Sequence, residues 1–382
     1  MFASKWHYTF FGLDTFNSIA TAIISQIYGI YFLLRIHKLA KAFYRIATGT
    51  SEIYRLIDVA IANGEARTET SIPQSSGAST PTSSNDTSSA TTLIPSDDGH
   101  SLHVMNSAIG RPLGVVSPKV IFRIDRAILF SNKLEMERRQ LELKDGRWDL
   151  AVKGIMEKKL FPDRSNLFTP HATVLRIVVN NIGATYNLLH DLNARAATKY
   201  ESNMKSSERK LLELWELLMP NERLEGRITK QWQKIGFQGS DPATDFRGMG
   251  MLGLDDLHYY AKNHPKSAAR VLSSSHHDTT WFSFAIVGIN ITKFALTLVR
   301  TRQANHFFYS YGISKDVYQE LYCYLFDGFE RFWTSYSDTI TVMDFSRIFD
   351  KYQARVEREL WERRETVLDP NSTNLLRSKK NR

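Results

Sequence analysis

The sequence predicts an all-α protein, and three observations carry that expectation. Apolar side chains recur at helical spacing through most of the chain after about residue 118, and period-two alternation is scarce. Cap residues stand before proline at first helical positions, as in Ser117-Pro118 and Thr169-Pro170. With 382 residues, 42% of them hydrophobic, the chain can bury a sizeable core in one large domain or two smaller ones.

Between Asp14 and Arg35 lies TFNSIATAIISQIYGIYFLL, a stretch without a charge, followed by the basic Arg35, His37, Lys38, Lys41 and Arg45. Its length just spans a bilayer core, but Asn17, Ser18, Ser25, Gln26 and Gly29 make it only moderately apolar. A helix lying on the membrane, a true span and a docked core helix are therefore alternatives for residues 15–34. Most of the basic charge follows the apolar run rather than preceding it, which argues against a cleaved signal peptide. Residues 1–64 are read as an N-terminal apolar and basic helical segment that contacts a membrane. Residues 65–117 are read as a disordered linker, because PQSSGASTPTSSNDTSSATTLIPSDDG has too little apolar surface to offset its ordering entropy. A helical domain is expected over 118–365, with runs at 120–143, 171–195, 281–300, 316–333 and 343–364. A face of Leu211, Leu214, Trp215 and Leu218 precedes Pro220. Residues 366–382, which include RSKKNR, are read as a basic disordered tail.

The net charge of +9 suggests an acidic partner: an anionic lipid surface, an acidic protein face or nucleic acid. No zinc-finger spacing and no RNP-type signature occurs, so nucleic acid is set aside. The single cysteine, Cys323, rules out a disulfide framework and a thiolate metal cluster. No G-x-x-x-x-G-K-[ST] loop, no strand-borne G-x-G-x-x-G, no G-x-S-x-G and no H-E-x-x-H is present. The chain is therefore expected to hold no cofactor and no metal of its own. The trio His276, His277 and Asp278 reads as a turn or helix boundary rather than a metal site, since adjacent helical residues point to different sides.

One stretch is different in kind. WQKIGFQGSDPATDFRGMGMLGLDDL begins at Trp232 and crowds Gly236, Gly239, Gly248, Gly250 and Gly253 around Asp241-Pro242, Asp245 and Arg247. Glycines permit left-handed or close-approach backbone, and Asp-Pro reads as a turn, so an ordered loop is expected between helices. Trp232, Phe237, Phe246, Met251 and Leu252 would anchor it. Arg247 then has two readings: a rigidly presented guanidinium whose donor fork matches phosphate oxygens, or one half of a salt bridge to Asp245 or Asp241 that closes the loop.

At these residues the sequence resembles the ELMO-domain family, specifically the ELMOD proteins. The family pattern is a tryptophan followed by G-F-Q-G, a D-P-x-T-D-F-R-G core and G-x-L-G-L. It is met by Trp232, Gly236 to Gly239, Asp241, Pro242, Thr244 to Gly248, Gly250, Leu252 to Leu254 and Leu257. The likeness covers roughly residues 120 to 350. The Ser/Thr-rich insertion and the tail after about Tyr352 depart from it. The resemblance implies a multi-helix ELMO domain that activates Arf-like or Arf small GTPases without being an enzyme itself. The partner carries GTP and magnesium, and the motif arginine, here Arg247, acts as an arginine finger. Gln238, Asp241, Asp245 and Gly248 would support it, with Gln238 bonding loop backbone and Asp245 orienting the guanidinium. The cytoplasmic side of an intracellular membrane would be the place of action. The alternative is a non-catalytic adaptor, as in the engulfment and motility ELMO proteins. Those lack the motif arginine and carry armadillo and pleckstrin-homology regions for which this chain has no room.

Overall fold

The computed structural model describes residues 39, 49–68, 93–95, 102–105, 112–336 and 340–362. The apolar run at 15–34, most of the Ser/Thr-rich stretch and the tail 366–382 lie outside the described residues. The all-α class holds. In order come α1 (Glu52–Ala62), α2 (Pro118–Leu129), α3 (Glu135–Glu142), α4 (Trp148–Lys158), α5 (Pro170–Ala197), α6 (Lys205–Leu218), α7 (Gly250–Asn263), α8 (Pro265–Ser275), α9 (Phe284–Arg300), α10 (Asn305–Tyr311), α11 (Lys315–Thr334) and α12 (Phe345–Glu362). Among the described residues no single helix is long and apolar enough to cross a membrane.

The helix starts follow the caps read from sequence. Ser117 accepts a hydrogen bond from the Val120 amide at 3.4 Å, Thr169 from Ala172 at 3.1 Å, and proline follows each at the first helical position. The expected run at 120–143 is divided: α2 ends at Leu129, a single 3₁₀ turn spans Asn132–Leu134, and α3 follows. Within the stretch 65–117, expected to be linker throughout, the described residues include short strands. β1 (Ala66–Thr68), β2 (Leu93–Pro95), β3 (Leu102–Met105) and β4 (Pro112–Val116) form a small antiparallel sheet in the order β1-β4-β3-β2, with Ala66 opposite Val116. Ala66, Thr68 and Val116 are buried. A composition averaged over the whole stretch hides these short apolar runs.

Two apolar clusters make the core. One joins α1, α2, α4 and the first half of α5 through Ile57, Ile121, Ile124, Ile155 and Val178; the other joins α6 to α12 around the almost wholly buried α9. At 28 residues, α5 is about 42 Å long and runs through both. Where they meet, Asp125 accepts hydrogen bonds from Arg302, from Tyr309 at 2.8 Å and from Asn305 at 3.2 Å. The carboxylate is buried, and these partners sit at the α9–α10 turn and on α10, so one charge ties the two clusters together.

Within α7 two adjacent aspartates are held in opposite states. Burial works against the Asp255 charge, but Arg195 and Lys210 hold its carboxyl well below the usual range. Asp256 is wholly enclosed and accepts from the Tyr318 hydroxyl at 3.2 Å; burial pushes its carboxyl up to about 8. The native state therefore keeps a proton that the unfolded chain releases near pH 4. Its contribution is fully present below that pH and is lost as pH rises toward 8. Asp256→Asn removes this dependence, so urea unfolding should show the variant gaining on the wild type by about 1.4 kcal/mol per pH unit between pH 5 and 7. A difference that does not grow with pH would mean that Asp256 is ionised in the fold.

Candidate functional site

The glycine-rich stretch folds as two 3₁₀ turns, Lys230–Ile235 and Pro242–Gly248, between α6 and α7. The first is nailed down by Trp232, which is fully buried and donates from its indole nitrogen to the Arg227 carbonyl at 2.9 Å. Trp232 meets Trp215 edge-on at 5.5 Å and Phe237 at 5.9 Å. Phe237 meets Phe246 at 5.6 Å, and Phe246 stacks on Tyr200 at 5.7 Å. The three expected anchors, Trp232, Phe237 and Phe246, thus form one aromatic ladder that fixes both turns to α6 and to the segment after α5.

Of the five glycines, two have a backbone that only glycine accepts readily. Gly236 ends the first turn at φ +83°, where a Cβ would lie 2.3 Å from the Phe284 nitrogen. Gly250 opens α7 at φ +49°, where a Cβ would lie 2.3 Å from the Thr198 carbonyl oxygen and 2.4 Å from that of Ala196. Gly239, Gly248 and Gly253 do not take positive φ, and a Cβ on Gly248 would meet nothing within 4 Å.

Asp241 caps the second turn, accepting from the Ala243 amide at 2.9 Å, and its same oxygen lies 2.7 Å from a terminal nitrogen of Arg227. Arg227 also donates from Nε to Glu208 at 3.0 Å and lies over the Tyr200 ring at 5.5 Å. Asp245 accepts from the Gln238 amide at 2.9 Å, bridging the two turns. Its carboxyl is raised above the ordinary range, because burial outweighs the Gln238 amide and the nearby Arg247 charge. Gln238 was expected to bond loop backbone through its side chain. Instead its backbone does the bonding, the amide to Asp245 and the carbonyl to Gln233 Nε2 at 3.3 Å, and the side chain is exposed.

Arg247 makes neither of the expected salt bridges. It is exposed, and its Nε donates to the Thr244 carbonyl at 2.9 Å within its own turn. Asp241 is taken by Arg227 and Asp245 by Gln238, so the loop is closed without it. One bond steadies the root of the guanidinium, and its terminal nitrogens take no hydrogen bond or ion pair among the described residues. A planar cation so held can donate a paired hydrogen bond to carboxylate or phosphate oxygens of another molecule. Sequence reasoning did not find Arg227, Glu208 or Tyr200, the brace that frees Arg247. Arg227 lies fourteen positions before Asp241, beyond any local spacing rule, and the charge itself was the only signal. His276 and His277 sit in a turn: the His276 ring lies 2.6 Å from the Lys234 carbonyl, and His277 Nδ1 accepts from the Thr280 amide at 3.3 Å.

The pattern of the ELMO/CED-12 family matches residues 190–349, a range that takes in this loop and most of the helices around it. The chain belongs to this family. It is 33% identical over 239 residues to ELMO domain-containing protein 2 of Mus musculus, covering 62% of this chain and 80% of that protein. ELMO domain-containing protein 1 of Mus musculus is 37% identical over 232 residues, 55% of this chain and 70% of its own length. ELMO domain-containing protein B of Dictyostelium discoideum is 31% identical over 238 residues, 62% of this chain and 82% of its own length.

Proposed function

We propose that this protein is a GTPase-activating protein for Arf-family small GTPases, with Arg247 acting in the partner's active site. The observation that carries the reading is the state of Arg247: exposed, steadied among the described residues by the Thr244 carbonyl alone, on a loop that other residues close. The partner supplies GTP, magnesium and the attacking water. The arginine supplies positive charge where negative charge develops on the transferred phosphoryl oxygens, an effect generally worth about 10³ to 10⁵ in rate. The lack of a phosphate-binding loop in the sequence accords with this division of labour. The basic run after the apolar N-terminal stretch supports action on the cytosolic face of an intracellular membrane.

Single-turnover GTP hydrolysis by a panel of purified Arf and Arf-like GTPases, with and without the full chain, tests the reading. At least one should be accelerated about 10³-fold or more. A GTPase that binds the chain in a GTP-dependent manner while no member of the panel is accelerated would favour the adaptor reading instead.

A further inference from the structure

Away from the Arg247 loop, three cations from three helices converge on one carboxylate. Asp255, on α7, has a side chain only 2% exposed. Arg195, in the last turn of α5, donates to both of its oxygens, from Nε at 2.7 Å and from Nη2 at 3.0 Å. Lys210 of α6 reaches it at 2.5 Å and Lys315, the first residue of α11, at 3.0 Å. A bidentate guanidinium already satisfies a carboxylate in charge and in geometry. The two added ammonium groups repel it and each other, and they leave two positive charges uncompensated.

Three acids nearby among the described residues have partners of their own. Asp256 is enclosed and bonded to Tyr318. Glu213 is engaged by His258 and Lys262, and Glu320 by His264 and Tyr259. The side chains of Arg195, Lys210 and Lys315 are 35%, 31% and 49% exposed, whereas the carboxylate they share is 2% exposed, so the cluster borders solvent. Asp255 is thus a floor that fixes three cations in place, and a cluster ordered in advance binds an anion without the cost of gathering flexible side chains.

We propose that Arg195, Lys210 and Lys315, ordered by Asp255, form a binding site for a phosphate monoester. Such a group carries about two negative charges near neutral pH, which matches the excess, and offers oxygens both to a guanidinium fork and to point-like ammonium groups. The group can come from a polyphosphoinositide headgroup in a membrane or from a soluble inositol phosphate. The inference does not depend on the GTPase reading.

Calorimetric titration of the full chain with inositol trisphosphate tests it, alongside K315E and the double variant K210Q/K315Q. The double variant keeps the bidentate Arg195–Asp255 pair, so the buried carboxylate stays partnered; a thermal melt checks the fold. K262Q, at a comparably exposed lysine paired to Glu213, is the control. The wild type and K262Q should bind saturably, and both altered chains should bind at least tenfold more weakly. Sedimentation with phosphatidylcholine vesicles containing a few per cent phosphatidylinositol bisphosphate separates the sources. Loss of pelleting in K315E assigns the headgroup, whereas unchanged pelleting with lost trisphosphate binding assigns the soluble compound. Equal trisphosphate affinity in wild type and double variant, or no saturable binding by the wild type, overturns the proposal.

Discussion

Replacing Arg247 by lysine should reduce GTPase stimulation by about 10³-fold or more while leaving thermal stability within about 0.5 kcal/mol of the wild type. Both halves of this expectation come from the geometry. Lysine keeps the charge but loses the planar fork, and it has no Nε donor at the position that bonds the Thr244 carbonyl. The Arg247 side chain is exposed and closes no ion pair, so its removal leaves nothing buried without a partner. Arg227→Ala is the informative contrast. It strips Asp241 and Glu208 of their shared cation and uncovers the Tyr200 ring, so it should lower stability by roughly 1–3 kcal/mol, with activity falling as the loop loosens. Paired melts and single-turnover hydrolysis on the same preparations separate the two. If Arg247→Lys melts normally and stimulates at the wild-type rate, the arginine finger assignment is lost.

How far the loop could be read in advance depended on how local its determinants are. Asp241-Pro242 is a local code, a capping side chain followed by a ring that fixes φ, and the structure uses it that way. The aromatic anchors were legible because Trp232, Phe237 and Phe246 are large apolar groups in an otherwise polar stretch. The role of each charge was not legible, because an ion pair is decided by tertiary placement. Asp241 and Asp245 both stand a few positions before Arg247 in sequence, yet one is claimed by Arg227 and the other by a backbone amide. The same limit hid Asp125, whose partners lie more than 170 positions away. Helices with long one-sided faces, such as α5 and α11, were read closely, whereas the short α8 and α10 were not foreseen because each offers too few turns to establish a period. The short strands in and around the Ser/Thr-rich stretch were hidden by averaging, since three to five residues cannot change the composition of so long a window.

Gly250→Ala should be among the most damaging single substitutions in the domain, and Gly248→Ala, two positions earlier, nearly silent. At Gly250 the new methyl would lie 2.3 Å from the Thr198 carbonyl oxygen and 2.4 Å from that of Ala196, and both oxygens belong to backbone at the end of α5. No flexible side chain can yield there. The Thr198 carbonyl also accepts from the Met251 amide at 2.8 Å, so α7 cannot move away without breaking the bond that seats it. The left-handed φ of +49° adds a conformational cost of about 1–2 kcal/mol for any residue with a Cβ. Strain and displacement together should cost roughly 3 kcal/mol or more, and they should act on function as well, because α7 begins where the Arg247 turn ends. At Gly248 a methyl meets nothing within 4 Å and φ is not positive, so alanine should change stability by less than about 1 kcal/mol, with any gain coming from a stiffer unfolded chain. Denaturant unfolding of the two variants checks the pair directly. Comparable stability in both would show that the contact between the start of α7 and the end of α5 is looser than these distances state, and with it the rigid seat from which Arg247 projects.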